Sequence, residues 1–187
     1  MSNQQFTTVV IPRTKSIGNM GWYLMAAASA GLLDWATKFM AVHYLADNTR
    51  VFGERFALYL VYNKGGAGGM SWGPYTWLIN VCVTSMAVFM ISMVVGPLAK
   101  VDRRATWALG LVAGGATGNL VSMLAGAEGV ADFLAFRFGD NAVIANVADL
   151  ALWSGALLLI PVVYNLVMAI RRERSAKSRR AIRYIEA

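Results

Sequence analysis

The chain has 187 residues, of which 57% are hydrophobic and only 14% charged, with a net charge of +7 and a mean hydropathy of +0.50. Soluble domains carry nearer a quarter charged residues, so this chain cannot cover its apolar surface with polar side chains, and lipid is the expected solvent. One cysteine, Cys82, and one histidine, His43, exclude an internal disulfide framework and argue against a Cys- or His-built metal centre.

Four apolar segments are long enough to cross a bilayer core as helices, at about Met20–Leu45, Thr76–Gly96, Thr106–Gly126 and Val147–Ile170. They predict an all-α membrane protein of a single domain, residues 1–187, with four transmembrane helices and a small extracytoplasmic β/loop segment between the first two. The first could be mistaken for a cleavable signal peptide because of its small-residue run AAASA. Its length and its internal Asp34 and Lys38 favour a retained span. The intervening segment Ala46–Tyr75 alternates in FALYLVYN and then turns glycine-rich before Trp72 and Pro74, which suggests a short strand or two and an interfacial turn.

The charges orient these spans. Most of the 17 basic residues fall on the N-terminal arm 1–19 (Arg13, Lys15), the loop after the second span (Lys100, Arg103, Arg104) and the tail 171–187 (Arg171, Arg172, Arg174, Lys177, Arg179, Arg180, Arg183). Short Lys/Arg-rich loops stay cytoplasmic, so both termini are expected inside and Ala46–Tyr75 and Ala127–Asn146 outside. The tail could bind RNA or anionic lipid, but the topology rule already demands its charge. No nucleic-acid partner is expected.

Ionisable groups inside spans are site hypotheses by default. Asp34 and Lys38 lie one helical turn apart and can neutralise each other, either as a structural ion pair or as part of the chemistry. The run GGATGN, Gly114 to Asn119, allows close helix approach and carries an amide toward the outer end of the third span. Asp132 in GVADF and Asp149 in NVADLAL reach the same outer face. Two neighbouring carboxyls share a proton, one serving as base for water and the other as donor to a carbonyl oxygen. The plain alternatives are a solvated loop acid at Asp132 and a helix cap at Asp149. The stretch YNKGGAGGMSWG could equally be a flexible loop with aromatic anchors at the interface.

Taken in order, these pieces resemble the lipoprotein signal peptidases (signal peptidase II), a bacterial family of four-span aspartyl peptidases. The resemblance covers about Leu32 to Leu159: LDWATK in the first span, VYNKGGAGG in the outer loop, GGATGNL in the third span, then GVADF and NVAD. It implies that Asp132 and Asp149 are the catalytic pair. Asn119 and Asn146 would bind substrate or the pair, Asn63 would support the loop, and Gly115, Asp34 and Lys38 would support the helices. It further implies cleavage of a prolipoprotein before a diacylglyceryl-modified cysteine at the outer face of the bacterial inner membrane. The partners would be lipidated prolipoprotein signal peptides and membrane lipid, and no metal or cofactor is required.

The chain departs from the family pattern at several positions. Ser122 and Met123 stand where the family carries Asp-Arg, Gly69 where it has Phe in the outer loop, and Ala145 where it has Phe before the last motif. The loop from Asn119 to Asp132 is one residue longer than usual. Lower activity on ordinary prolipoproteins is therefore expected, because methionine cannot replace arginine in bidentate recognition. The competing functional reading is a catalytically weak or inactive paralogue that serves as a membrane binding or assembly subunit. A transporter fits less well, since acids at the outer rim give no polar path through the bilayer.

Overall fold

The computed structural model describes residues 16–64, 66, 70–125 and 129–185. Four long helices run as α1 (Ser16–Leu45), α2 (Thr76–Val101), α3 (Arg104–Ala125) and α4 (Val147–Ile185). Strands β1 (Arg50–Phe52) and β2 (Phe56–Asn63) join α1 to α2, and β3 (Val130–Phe138) and β4 (Asn141–Ala145) join α3 to α4. Within the described residues, α2 (with the 3-10 turn before it), α3 and α4 are long and apolar enough to cross a membrane. Only 6% of the most apolar stretch at α2 is fully buried, so much of that helix faces outward, as a lipid-facing helix would. The tail expected as a separate basic segment continues α4 as helix through Ile185. Arg13, Lys15, Glu128 and Gly69 lie outside the described residues.

The β/loop segment expected between the first two helices alone is corrected by the sheet. It has four antiparallel strands in the order β1-β2-β3-β4, half of it supplied by the α3–α4 connection. Asp132, whose plainer reading was a solvated loop acid, is therefore a strand residue opposite Val61. The β3–β4 hairpin closes through Gly139 and Asp140 between the paired Phe138 and Asn141. Gly139 at φ +61° supplies the positive dihedral that the first position of such a two-residue turn requires.

Helix α3 is the hub, packed against α1, α2 and α4, whereas α1 and α2 touch each other little. Small residues make this possible. A Cβ at Gly114 would run into the Ala27 carbonyl of α1, and one at Gly115 into the Ala148 carbonyl of α4. These approaches let backbones pack where lipid supplies no hydrophobic drive. Opposite the sheet, Tyr23, Val95, Leu109 and Ala113 form a buried cluster, and the Tyr23 hydroxyl meets Ser92 Oγ at 2.8 Å. At the sheet end, Trp77 Nε1 of α2 donates to the Met123 carbonyl at 2.7 Å and so satisfies one of the last carbonyls of α3.

Candidate active site

The site is built on the first turn of α4. Asn146 caps it, its Oδ1 accepting the Asp149 N–H at 3.0 Å. Asp149 Oδ2 returns the favour by accepting the Asn146 N–H at 3.0 Å. This reciprocal pair is a capping box written with Asn and Asp. It also fixes the direction of the Asn146 amide, because Oδ1 is committed to the helix and Nδ2 must point away. That nitrogen donates to Asp132 Oδ1 at 2.6 Å and to Asn119 Oδ1 at 3.1 Å. Asn146 thus bonds to both carboxyl groups, to one through its side chain and to the other through its backbone.

Asn119 is oriented in the same way. Its Oδ1 accepts from Asn146 and from Lys38 Nζ, the latter at 2.8 Å. Its Nδ2 is left to donate to Asp149 Oδ1 at 3.0 Å. Lys38 also pairs with Asp34 Oδ2 at 2.8 Å, one turn away as the spacing predicts. The other oxygen of Asp34 accepts the Ala148 N–H of α4 at 2.8 Å. A circuit therefore runs from the start of α4 through Asp34, Lys38, Asn119 and Asp149 back to α4. Asp34 and Asn146 are 0% exposed, Asp132 6% and Lys38 7%. Burial of that order is tolerable only where every polar atom is paired. Among the described residues no buried side-chain nitrogen or oxygen lacks a partner.

The two carboxyls differ in setting. Asp132 is buried on β3 while Asp149 is half-exposed. Burial, and secondly the negative charge of Asp149, push the Asp132 carboxyl up from 3.8 to about 6. Hydrogen bonds from Asn146 and Asn63 and the positive charge of Lys38 oppose that shift. The arrangement can hold one proton on Asp132, with the Asp149 carboxyl beside it fixed by two N–H donors.

The remaining positions singled out by sequence are placed as follows. Asn63 ends β2 opposite Val130, and its side chain bonds to Asp132. Gly115 lies against the first turn of α4, and Ala145 is buried at the end of β4. Ser122 Oγ donates to the Gly118 carbonyl at 3.0 Å. It also lines a cavity of about 810 Å³ between α1 and α3, together with Trp35, Phe39, Thr117 and Val121, with Lys38 in its wall and Tyr62 and Ala131 of the sheet beside it. Met123 contributes the carbonyl held by Trp77. Sequence reasoning missed two links, Lys38 to Asn119 and Asp34 to the Ala148 amide. Both join residues far apart in the chain, and no spacing rule reaches that far. Among the described residues no group of three or more His, Cys, Asp or Glu side chains gathers to hold a metal ion.

Comparison with known proteins agrees with this architecture. The chain is 33% identical over 169 residues to the lipoprotein signal peptidase of Mycobacterium avium, covering 83% of this chain and 87% of that protein. It is 35% identical over 158 residues to that of Halalkalibacterium halodurans, covering 83% and 96%. A solved bacterial membrane enzyme shares the fold at a TM-score of 0.66 and 22% identity, covering 84% of this chain and 92% of that one. The family model for signal peptidase (SPase) II matches residues 26–165. With a capped helix end, a buried polar circuit and this kinship together, the chain belongs to the signal peptidase II family.

Proposed function

We propose that this protein is a membrane aspartyl endopeptidase that removes signal peptides from diacylglyceryl-modified prolipoproteins. The observation that carries the reading is the double engagement of Asn146, Nδ2 to Asp132 and backbone N–H to Asp149. Asp149, as carboxylate, takes a proton from a water molecule. The hydroxide so formed adds to the carbonyl carbon of the scissile bond, and Asp132 gives its proton to the carbonyl oxygen. When the tetrahedral intermediate collapses, Asp149 returns its proton to the leaving amine of the modified cysteine, Asp132 recovers its own, and the signal peptide departs as the acid. The side chains of Asn119 and Asn146 keep both carboxyls in place through this cycle.

In this reading α1 is a fourth span. Its 30 residues reach about 45 Å, and its two charges neutralise each other inside the protein. Lys100, Arg103, Arg104, Arg171, Arg172 and Arg174 lie at the end of the bundle away from the sheet. That asymmetry supports both termini in the cytoplasm and the sheet outside, where a lipid-anchored peptide would meet Asp132 and Asp149. Residues 1–187 then form one membrane domain with a cytoplasmic arm 1–19 and a basic cytoplasmic tail 171–187.

The competing reading, a catalytically weak or inactive paralogue acting as an assembly subunit, draws on Ser122 and Met123, a hydroxyl and a thioether where the family carries Asp-Arg. Cleavage of a diacylglyceryl-modified signal peptide by purified wild type, Asp132→Asn and Asp149→Asn separates the two. The peptidase reading expects cleavage by wild type and a loss of at least about 10³-fold in each variant. Absence of cleavage by wild type on every lipidated substrate moves the subunit reading ahead.

A further inference from the structure

At the end of the bundle away from the sheet, α1 and α3 enclose a second cavity of about 370 Å³. Its walls are Asn19, Trp22, Arg103, Arg104, Thr106 and Trp107. None of these belongs to the polar circuit around Asp132 and Asp149. The Trp22 and Trp107 rings meet at 5.2 Å between centroids with 36° between their planes. They are 45% and 43% exposed, so each keeps a broad apolar surface open.

Arg103 and Arg104 are exposed on the turn that leads into α3. The acid of that turn, Asp102, feels the Arg104 charge, while its two oxygens accept from a backbone N–H and a side-chain amide. Oδ1 accepts the Arg104 N–H at 2.9 Å and Oδ2 accepts from Asn165 Nδ2 of α4 at 2.8 Å. The Thr106 hydroxyl is likewise turned back onto the Arg103 carbonyl, at 2.7 Å.

Two guanidinium groups beside two indoles at the end of apolar helices select a particular chemistry. Guanidinium groups bind phosphate oxygens through paired N–H bonds and carry their charge at every accessible pH. Indole rings sit where one side is apolar and the other wet. A bare anion would use the arginines and leave the rings idle, and a neutral lipid would do the reverse. We propose that this cavity binds the phosphodiester headgroup of one anionic phospholipid. Arg103 and Arg104 take the phosphate, and Trp22 and Trp107 pack on the glycerol and first methylenes.

The test is native mass spectrometry of the full chain in detergent, titrated separately with phosphatidylglycerol, phosphatidylcholine and inorganic phosphate. One phosphatidylglycerol is expected per chain, held more tightly than phosphatidylcholine. Replacing both arginines (Arg103→Gln with Arg104→Gln) is expected to weaken it roughly 30-fold, at about a factor of five for each charge near the surface. Replacing Arg171→Gln with Arg172→Gln, at the same end but outside the cavity, is expected to leave binding unchanged. Equal affinity for both lipids overturns the proposal. So does equal weakening by the two double variants, which would mean summed charge rather than a site. Displacement of the lipid by inorganic phosphate at comparable concentration also overturns it, since the rings would then contribute nothing. Arg103→Lys with Arg104→Lys guards against misfolding, because it keeps the charge and is expected to retain part of the binding. The assay reads no peptidase activity, so its failure and that of the proposed reaction are separate events.

Discussion

Replacing Lys38 by Met removes the only cation bonded to Asp34 among the described residues, and Asp34 is 0% exposed. Breaking a buried ion pair from one side leaves an uncompensated charge and costs about 3–5 kcal/mol. Adding Asp34→Asn removes that charge, and the new amide oxygen can still accept the Ala148 N–H that Asp34 Oδ1 now holds. Both variants lose the bond from Lys38 to Asn119, so the cost particular to the double variant is the new amide nitrogen left unpaired where Oδ2 met Lys38, about 1–3 kcal/mol. The double variant is therefore expected to be more stable than Lys38→Met by about 2 kcal/mol. Unfolding in mixed micelles of rising dodecyl sulfate content, followed by helical circular dichroism, reads the difference. Peptidase activity is expected to fall in both variants, because Asn119 loses a donor that fixes its amide. A double variant no more stable than Lys38→Met would falsify the account of Asp34 as a buried charge neutralised by Lys38.

Two other perturbations probe the site from different sides. The Asp132 carboxyl is raised from 3.8 to about 6 in the folded chain. Its contribution to stability is thus fully present below pH 3.8 and lost as pH rises through about 6. Asp132→Asn removes the charge, and should exceed wild type in stability by up to about 3 kcal/mol above pH 6, the gap closing toward pH 4. Unfolding measured across pH 4–8 checks this, and a pH-independent difference refutes it. For the same reason wild-type cleavage is expected to decline as pH rises above about 6, read from single-turnover rates. Gly115→Ala places a methyl against the Ala148 carbonyl and Leu152, so α4 must shift at the turn that carries Asp149. A cost of about 1–3 kcal/mol and a drop in cleavage are expected.

Much of this arrangement is legible from the chain alone, for reasons that differ by element. The helices announce themselves through length and hydropathy, since lipid leaves the backbone few alternatives. The Asp34–Lys38 pair follows from a spacing of four, and the capping role of Asp149 from its place at the start of an apolar run, although the cap itself is Asn146. The two functions weighed for Asp149, helix cap and member of a carboxyl pair, turn out to be compatible. One oxygen caps while the other meets Asn119. The β3–β4 hairpin was missed although its signal was present, a Gly-Asp pair between FLAFRF and NAVIA. The cross-links from α1 to α3 and α4 were beyond reach, because they depend on which helices α3 touches. That depends on glycines whose partners lie some 80 to 90 residues away, such as Gly114 against Ala27.

The central place of α3 has a consequence for how the protein comes into being. Helices α1 and α2 have little to say to each other, so the first half of a growing chain has little to settle against before α3 follows. Its buried acid must wait for the amide of Ala148, which lies 114 positions further on. A nascent chain that stops short of α4 carries Asp34 and Lys38 without the helix start they serve, and it lacks Asp149 altogether. The peptidase chemistry proposed here thus comes into existence in one step near the end of synthesis. On the proposed mechanism, a product truncated before α4 is inert.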